Sequence, residues 1–237
     1  MKSAIRCFCF CIIAVFFIDR VAWILHEKSD ANAIEPFYKE EKDSIDVLLC
    51  GPSSAYYGIS PYGLWGEHGI VSWNIAIGGQ PLPSTYYTIK QALNFQTPKV
   101  IVVDVLNIYG TSKLGIVGHN TLDWMPWNGD KLKAINELTT KEERKEYFCT
   151  LLAFHGRWKE LTKDDFSYSE DMHDFVHCNP KGNQKVTEYL GEYLKSHYDL
   201  PDKRNDEEYE DWNIGYQEYV EYLQKNEAQM EKKTSGK

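Results

Sequence analysis

Ile45-Asp-Val-Leu-Leu-Cys50 runs directly into Gly51-Pro52-Ser53-Ser54. A short apolar run closed by a Gly-Pro pair predicts a buried strand feeding a tight turn. The pattern recurs downstream. Ile70-Val-Ser-Trp-Asn-Ile-Ala-Ile77 is a second run and ends in Gly78-Gly79-Gln80. Val100-Ile-Val-Val-Asp-Val-Leu106 is a third and ends at Asn107. Between these two, Tyr86, Ile89, Lys90 and Leu93 follow Pro83 at near-helical spacing. Apolar runs separated by a helical pattern predict βαβ units and a parallel sheet. In such sheets the chemistry gathers at the carboxyl ends of the strands. Those ends carry Ser53, Gly79 and Asn107.

Far downstream stands Asp174-Phe-Val-His-Cys-Asn-Pro-Lys-Gly182. A carboxylate three residues before a histidine sits about one turn away, on the side from which it orients an imidazole. Asn179 suits an N-cap and Pro180 a first helical residue. Val186, Tyr189, Leu190, Tyr193 and Leu194 then mark one face of a helix. Asp174 and His177 are thus expected on a loop fixed by a rigid helix, a common mount for a catalytic pair.

Taken together, these blocks resemble the SGNH (GDSL-like) hydrolase superfamily, in particular its membrane-anchored bacterial branch. Gly51-Pro52-Ser53 resembles the first block, Asn74-Ile-Ala-Ile-Gly-Gly79 the second, Asp104-Val-Leu-Asn107 the third, and Asp174-Phe-Val-His177 with Asn179 and Gly182 the last. The resemblance spans residues 45–200 in outline. It implies an α/β fold, a three-layer α/β/α flavodoxin-like sheet of parallel strands. The sheet is expected to be shortened to three strands where the family has more, since no strong strand candidate lies between Leu106 and Asp174. It also implies a Ser–His–Asp acyl-transfer site without a cofactor. Ser53 attacks an ester carbonyl, His177 takes its proton, and Asp174 holds the imidazole. The Ser53 and Gly79 backbone N–H groups and the Asn107 amide receive the oxyanion. Ser54 is the alternative nucleophile, ranked second because the Gly-x-Ser spacing points to Ser53.

The chain start reads as an anchor. Residues 4–18 are almost unbroken apolar, Lys2 and Arg6 precede or enter the run, and Asp19-Arg20 separates it from Val21-Ala-Trp-Ile-Leu25. A membrane helix over 1–27 with its N-terminus inside puts the rest on the extracytoplasmic side of a bacterial envelope. The alternative is a cleaved signal peptide, with Ala31-Asn32-Ala33 as its site. Residues 28–44 read as a juxtamembrane spacer whose Phe37-Tyr38 packs on the domain. Three of the six cysteines (Cys7, Cys9, Cys11) lie in the apolar run, and Cys50, Cys149 and Cys178 form no disulfide framework.

In the middle, Trp124-Met-Pro-Trp127 predicts a turn, and Leu132, Ile135 and Leu138 a helix. Thr140-x-x-Glu143 is a capping box opening another helix through Tyr147, Phe148, Leu151 and Leu152. Phe154-His-Gly-Arg-Trp has counterparts in the anchored branch, and packing is the simpler role for His155 and Arg157. His119, His155, His173 and His177 show no metal-ligand spacing. Residues 201–237 form an acidic extension with Tyr209, Trp212, Tyr216, Tyr219 and Tyr222 at helical spacing, ending in a stretch 232–237 expected to be disordered.

The net charge of −9 argues against a nucleic-acid partner. The expected activity is that of an exported serine esterase or O-acyltransferase on acyl esters, acetyl above all, of a cell-envelope carbohydrate or small ester substrate. The carbohydrate follows from the resemblance, as does a multi-spanning membrane acyltransferase as partner. The rival from another class is a non-catalytic envelope binding or assembly protein on the same scaffold.

Overall fold

The computed structural model describes residues 6, 8–10, 12–17, 34–106, 115–148 and 180–235. Its centre is a parallel sheet of three strands in the order β2-β1-β3, among the described residues. The strands are β1 (Val47–Cys50), β2 (Ser72–Asn74) and β3 (Val100–Val103). Val47 pairs with Ser72 on one side and with Val100 on the other. The fold is therefore α/β with a parallel sheet, as expected from the three apolar runs.

All four residues of β1 are buried. They alternate between two clusters, as the pleat requires. Val47 and Leu49 pack with Leu64, Ile70, Leu194 and Leu200. Leu48 and Cys50 pack with Phe37, Ile75 and Ala92. The described helices from residue 34 on are α1 (Ile34–Phe37), α2 (Ser53–Gly58), α3 (Pro61–His68), α4 (Leu82–Ala92), α5 (Gly115–Leu122), α6 (Gly129–Leu138), α7 (Arg144–Phe148), α8 (Pro180–His197) and α9 (Glu210–Ser235). α3 and α8 serve the first cluster, α1 and α4 the second.

Several expectations need adjustment. β2 is shorter than the run 70–77, because the Asn74 side chain accepts from the Ala76 N–H (3.0 Å) and bends the chain. Ladder-like bonds continue even so, from Ile75 N–H to Leu49 O (2.9 Å) and Ile77 N–H to Gly51 O (3.0 Å). The β1–β2 connection, read as a turn, contains α2 and α3. α3 starts at Ser60, whose Oγ accepts from Gly63 N–H, with Pro61 as the next residue. The spacer is not a free linker at its end: Ile34 and Phe37 are buried, and the Phe37 ring meets Trp73 edge-on. The capping box forms both its bonds, Thr140 N–H to Glu143 Oε2 (2.8 Å) and Glu143 N–H to Thr140 Oγ1 (3.3 Å).

The acidic extension is part of the fold. Trp65 is fully buried, its Nε1–H donates to Asn213 Oδ1 (3.0 Å), and its ring lies 5.8 Å from that of Trp212. Arg204 donates to the Gly66 carbonyl (2.8 Å), and Lys203 pairs with buried Asp46 (2.9 Å). α9 continues through Ser235, past the point where disorder was expected.

Among the described residues no helix is long and apolar enough to cross a membrane. The anchor expected over 1–27 falls mostly outside the described residues. Those that are described there are helical, with Phe8, Phe10, Ile13, Val15, Phe16 and Phe17 exposed.

One buried charge carries a pH signature. Lys131 is only 3% exposed, and its ammonium donates to Met125 O (2.8 Å) over the Trp127 ring. Burial lowers it to about 8, against a weaker opposing pull from Asp123. Between pH 8 and about 10 the unfolded chain still holds a proton that the folded chain has released, so stability rises with pH across that window. Urea denaturation should show the wild type gaining about 2 kcal/mol over this range relative to Lys131→Met. Parallel pH profiles for the two proteins would show that this amine does not titrate with folding.

Candidate active site

The carboxyl end of β1 is built on a close approach. Gly51 has φ +141°, and a Cβ placed there would fall 2.8 Å from Asp104 Cβ and 3.0 Å from the Asp104 carbonyl oxygen. No L side chain fits that space or favours that backbone. Pro52 then turns extended, and Ser53 becomes the first residue of α2. The Ala55 and Tyr56 N–H groups donate to Pro52 O (3.1 and 3.2 Å), closing the first turn. Ser53 and Ser54 are both half-buried.

Asp104 follows β3 directly. Its Oδ2 accepts from Ser54 Oγ (2.5 Å), and its Oδ1 accepts from Leu106 N–H (2.8 Å). Its own N–H donates to Cys50 O (2.9 Å). Asp104 is thus joined to the turn after β1 by its side chain and to the last residue of β1 by its backbone. The sequence reading named Asp104 only as the start of the third block, because nothing along the chain marks a partner 50 residues away.

Asn74, the start of the second block, is buried and donates to Ala55 O (2.9 Å) and Ile59 O (3.2 Å). It ties the end of β2 to α2. Gly79 lies in the turn after β2 with φ +71°, and a Cβ there would meet only Val117 Cγ2 at 3.4 Å. Its glycine is favoured by the left-handed turn and not by a close backbone approach. The position that needs close approach is Gly51. Gln80 beyond it is buried and hydrogen-bonds Thr88 (3.0 Å) and Thr85 (3.3 Å), which anchors this turn to α4.

Asn107, Asp174 and His177 lie outside the described residues, as do Asn179, His155 and Arg157. The helix that follows Asp174 and His177 is described, and it starts at Pro180 as expected. α8 docks along α2 and α3 in chain order. Asn183 Nδ2 donates to Tyr57 O (2.6 Å), Thr187 Oγ1 accepts from Ser60 N–H (3.1 Å), and Gly191 faces the His68 ring. The first turns of α8 therefore lie against the end of α2 and the start of α3, and α8 runs on along α3 in the same direction.

Two features elsewhere bear on chemistry. His119 sits between Asp123 Oδ2 (3.1 Å) and Glu146 Oε2 (3.3 Å) and stacks on Tyr147, which pins α5 to α7. Among the described residues no group of three or more His, Cys, Asp or Glu is arranged to hold a metal ion. The Cys50 thiol is free, buried and pushed up by its burial.

No protein-family model, curated protein or solved structure matches this chain.

The two glycines separate in their expected cost. Gly51→Ala meets both a forbidden φ and immovable backbone, and should destabilise by about 3 kcal/mol or more. Gly79→Ala meets only the turn conformation and should cost about 1 kcal/mol. Equal midpoints for the two variants in chemical denaturation would mean that the approach to Asp104 relaxes cheaply.

Proposed function

We propose that this chain is an SGNH-type serine esterase or O-acyltransferase, exported and membrane-anchored, acting on acyl esters of a cell-envelope carbohydrate. The observation that carries the reading is the position of Ser53. It opens a helix immediately after the central strand, beside the carboxyl end of β3, where the strand order reverses. Ligands in open α/β sheets bind at that switch point. The order β2-β1-β3 is also the beginning of the flavodoxin-like order, and helices pack against both sheet faces. Both support a three-layer α/β/α flavodoxin-like fold.

The docking of α8 supports the same site. The contacts of Asn183 with Tyr57 and of Thr187 with Ser60 run in chain order, so α8 begins beside the end of the helix that Ser53 opens. His177 is three residues before Pro180, a reach of roughly 10 Å in extended chain. Ser53 then attacks the ester carbonyl, His177 moves the proton to the leaving alcohol, and Asp174 steadies the imidazolium. The Ser53 and Gly79 N–H groups with the Asn107 amide hold the oxyanion, each good donor contributing several kcal/mol, about 3 by analogy with other sites.

The bonding of Ser54 favours Ser53 as nucleophile. The Ser54 proton is directed at Asp104, and a carboxylate is a far weaker base than an imidazole. The carbohydrate, the envelope and a multi-spanning acyltransferase partner rest on the resemblance alone. One observation favours a second reading, a non-catalytic binding or assembly protein: the described sheet has three strands, fewer than an SGNH enzyme ordinarily builds on.

Fluorophosphonate probes react with a serine activated by a base. The full chain in detergent should be labelled, Ser53→Ala and His177→Ala should abolish labelling, and Ser54→Ala should keep it. A folded, unlabelled wild type would sink the esterase reading in favour of the binding one.

A further inference from the structure

We infer that Asp104 is a positioning residue that sets the spacing between the nucleophile turn and the segment that carries the oxyanion amide. The inference rests on the serine-esterase reading for its catalytic consequence. The geometry itself does not. The two carboxylate oxygens are divided between two segments. Oδ2 holds the turn through Ser54, next to Ser53, and Oδ1 holds the chain leaving β3 through Leu106 N–H, next to Asn107. The backbone closes the same clamp from behind, with Asp104 N–H on Cys50 O. Gly51 lies against the Asp104 backbone, so the turn has no room to slide past it.

A short, rigid, two-ended acceptor suits this task. Each oxygen takes one donor, and the two donors are the chain neighbours of the proposed nucleophile Ser53 and of Asn107. In this arrangement the negative charge is not the essential property. An asparagine can accept from Leu106 N–H with its oxygen and donate to Ser54 Oγ with its amide, since a hydroxyl both donates and accepts. An alanine can do neither. A carboxylate acting as a base for Ser54 would behave in the opposite way, because asparagine cannot take a proton.

The test compares Asp104→Asn, Asp104→Ala and Ser54→Ala in the full chain. Readouts are p-nitrophenyl acetate hydrolysis, fluorophosphonate labelling, and amide hydrogen exchange at Leu106 and in the first turn of α2. Asp104→Ala should lower kcat about 100-fold with KM little changed, the cost of a misplaced reacting group. It should also speed exchange at both segments together. Asp104→Asn should restore kcat to within about tenfold of wild type and restore protection, and Ser54→Ala should free the α2 turn alone. Asparagine as inactive as alanine would overturn the proposal and make the charge the functional property. Wild-type kcat in Asp104→Ala would also overturn it. If the wild type neither hydrolyses nor labels, the esterase reading fails, and exchange decides the clamp by itself: unchanged α2 protection in Asp104→Ala refutes it. If Asp104→Ala does not fold, Ser54→Ala still decides, because unaltered hydrogen exchange in the α2 turn would refute the Oδ2 arm.

Discussion

The structure depends on a crossing. At the end of β1 the chain passes over Asp104 so closely that even a methyl group on Gly51 would overlap it. This contact makes β1 and β3 end at one level. It also places the start of α2 at the mouth between them. A buried central strand cannot shift to relieve the strain of a larger residue, because Val47, Leu48, Leu49 and Cys50 are each locked into one of two packed clusters. The turn therefore inherits the rigidity of the core, which suits a site that must hold atoms in register.

Around that centre the helices on one side are packed by exchanging small residues for rings. Gly66 of α3 leaves room for the Tyr216 ring, Gly215 of α9 for the Tyr62 ring, and Gly191 of α8 for the His68 ring. Close approach of this kind lets α8 and α9 both pack against α3. It also explains why the acidic tail is not a loose appendage. Its Trp212 covers Trp65 and its Asn213 satisfies the Trp65 indole N–H. Buried Asp46 faces both Lys99 and Lys203, which joins the edge of the sheet to the segment leading into α9.

Legibility in the sequence followed the strength of each local pattern. The three apolar runs were recognisable because a strand buried on both faces needs no polar alternation. The helix over 82–92 and the capping box at Thr140 were recognisable because their signals are local. α2 and α3 were not, because Gly58, Gly63 and Gly66 interrupt the helical pattern. The reason for Gly63 and Gly66 lies elsewhere in the chain: Thr187 and Tyr216 occupy the space that larger residues would fill. Disorder was expected at 232–237 as a chain end, yet the helix continues through Ser235.

The sequence by itself determined the elements whose cause is local: a parallel α/β core, the turn Gly51-Pro52-Ser53-Ser54 after its first strand, and a helix opening at Pro180. Periodicity, turn residues and caps act over a few positions, so they are written where they act. The tertiary structure alone decided which glycine must be a glycine for space, which serine is tied to a carboxylate, and where α8 and α9 dock. Each of those depends on two segments 50 or more residues apart meeting at van der Waals or hydrogen-bond distance. Such a meeting is set by the packing of the whole core and leaves no local mark on either partner.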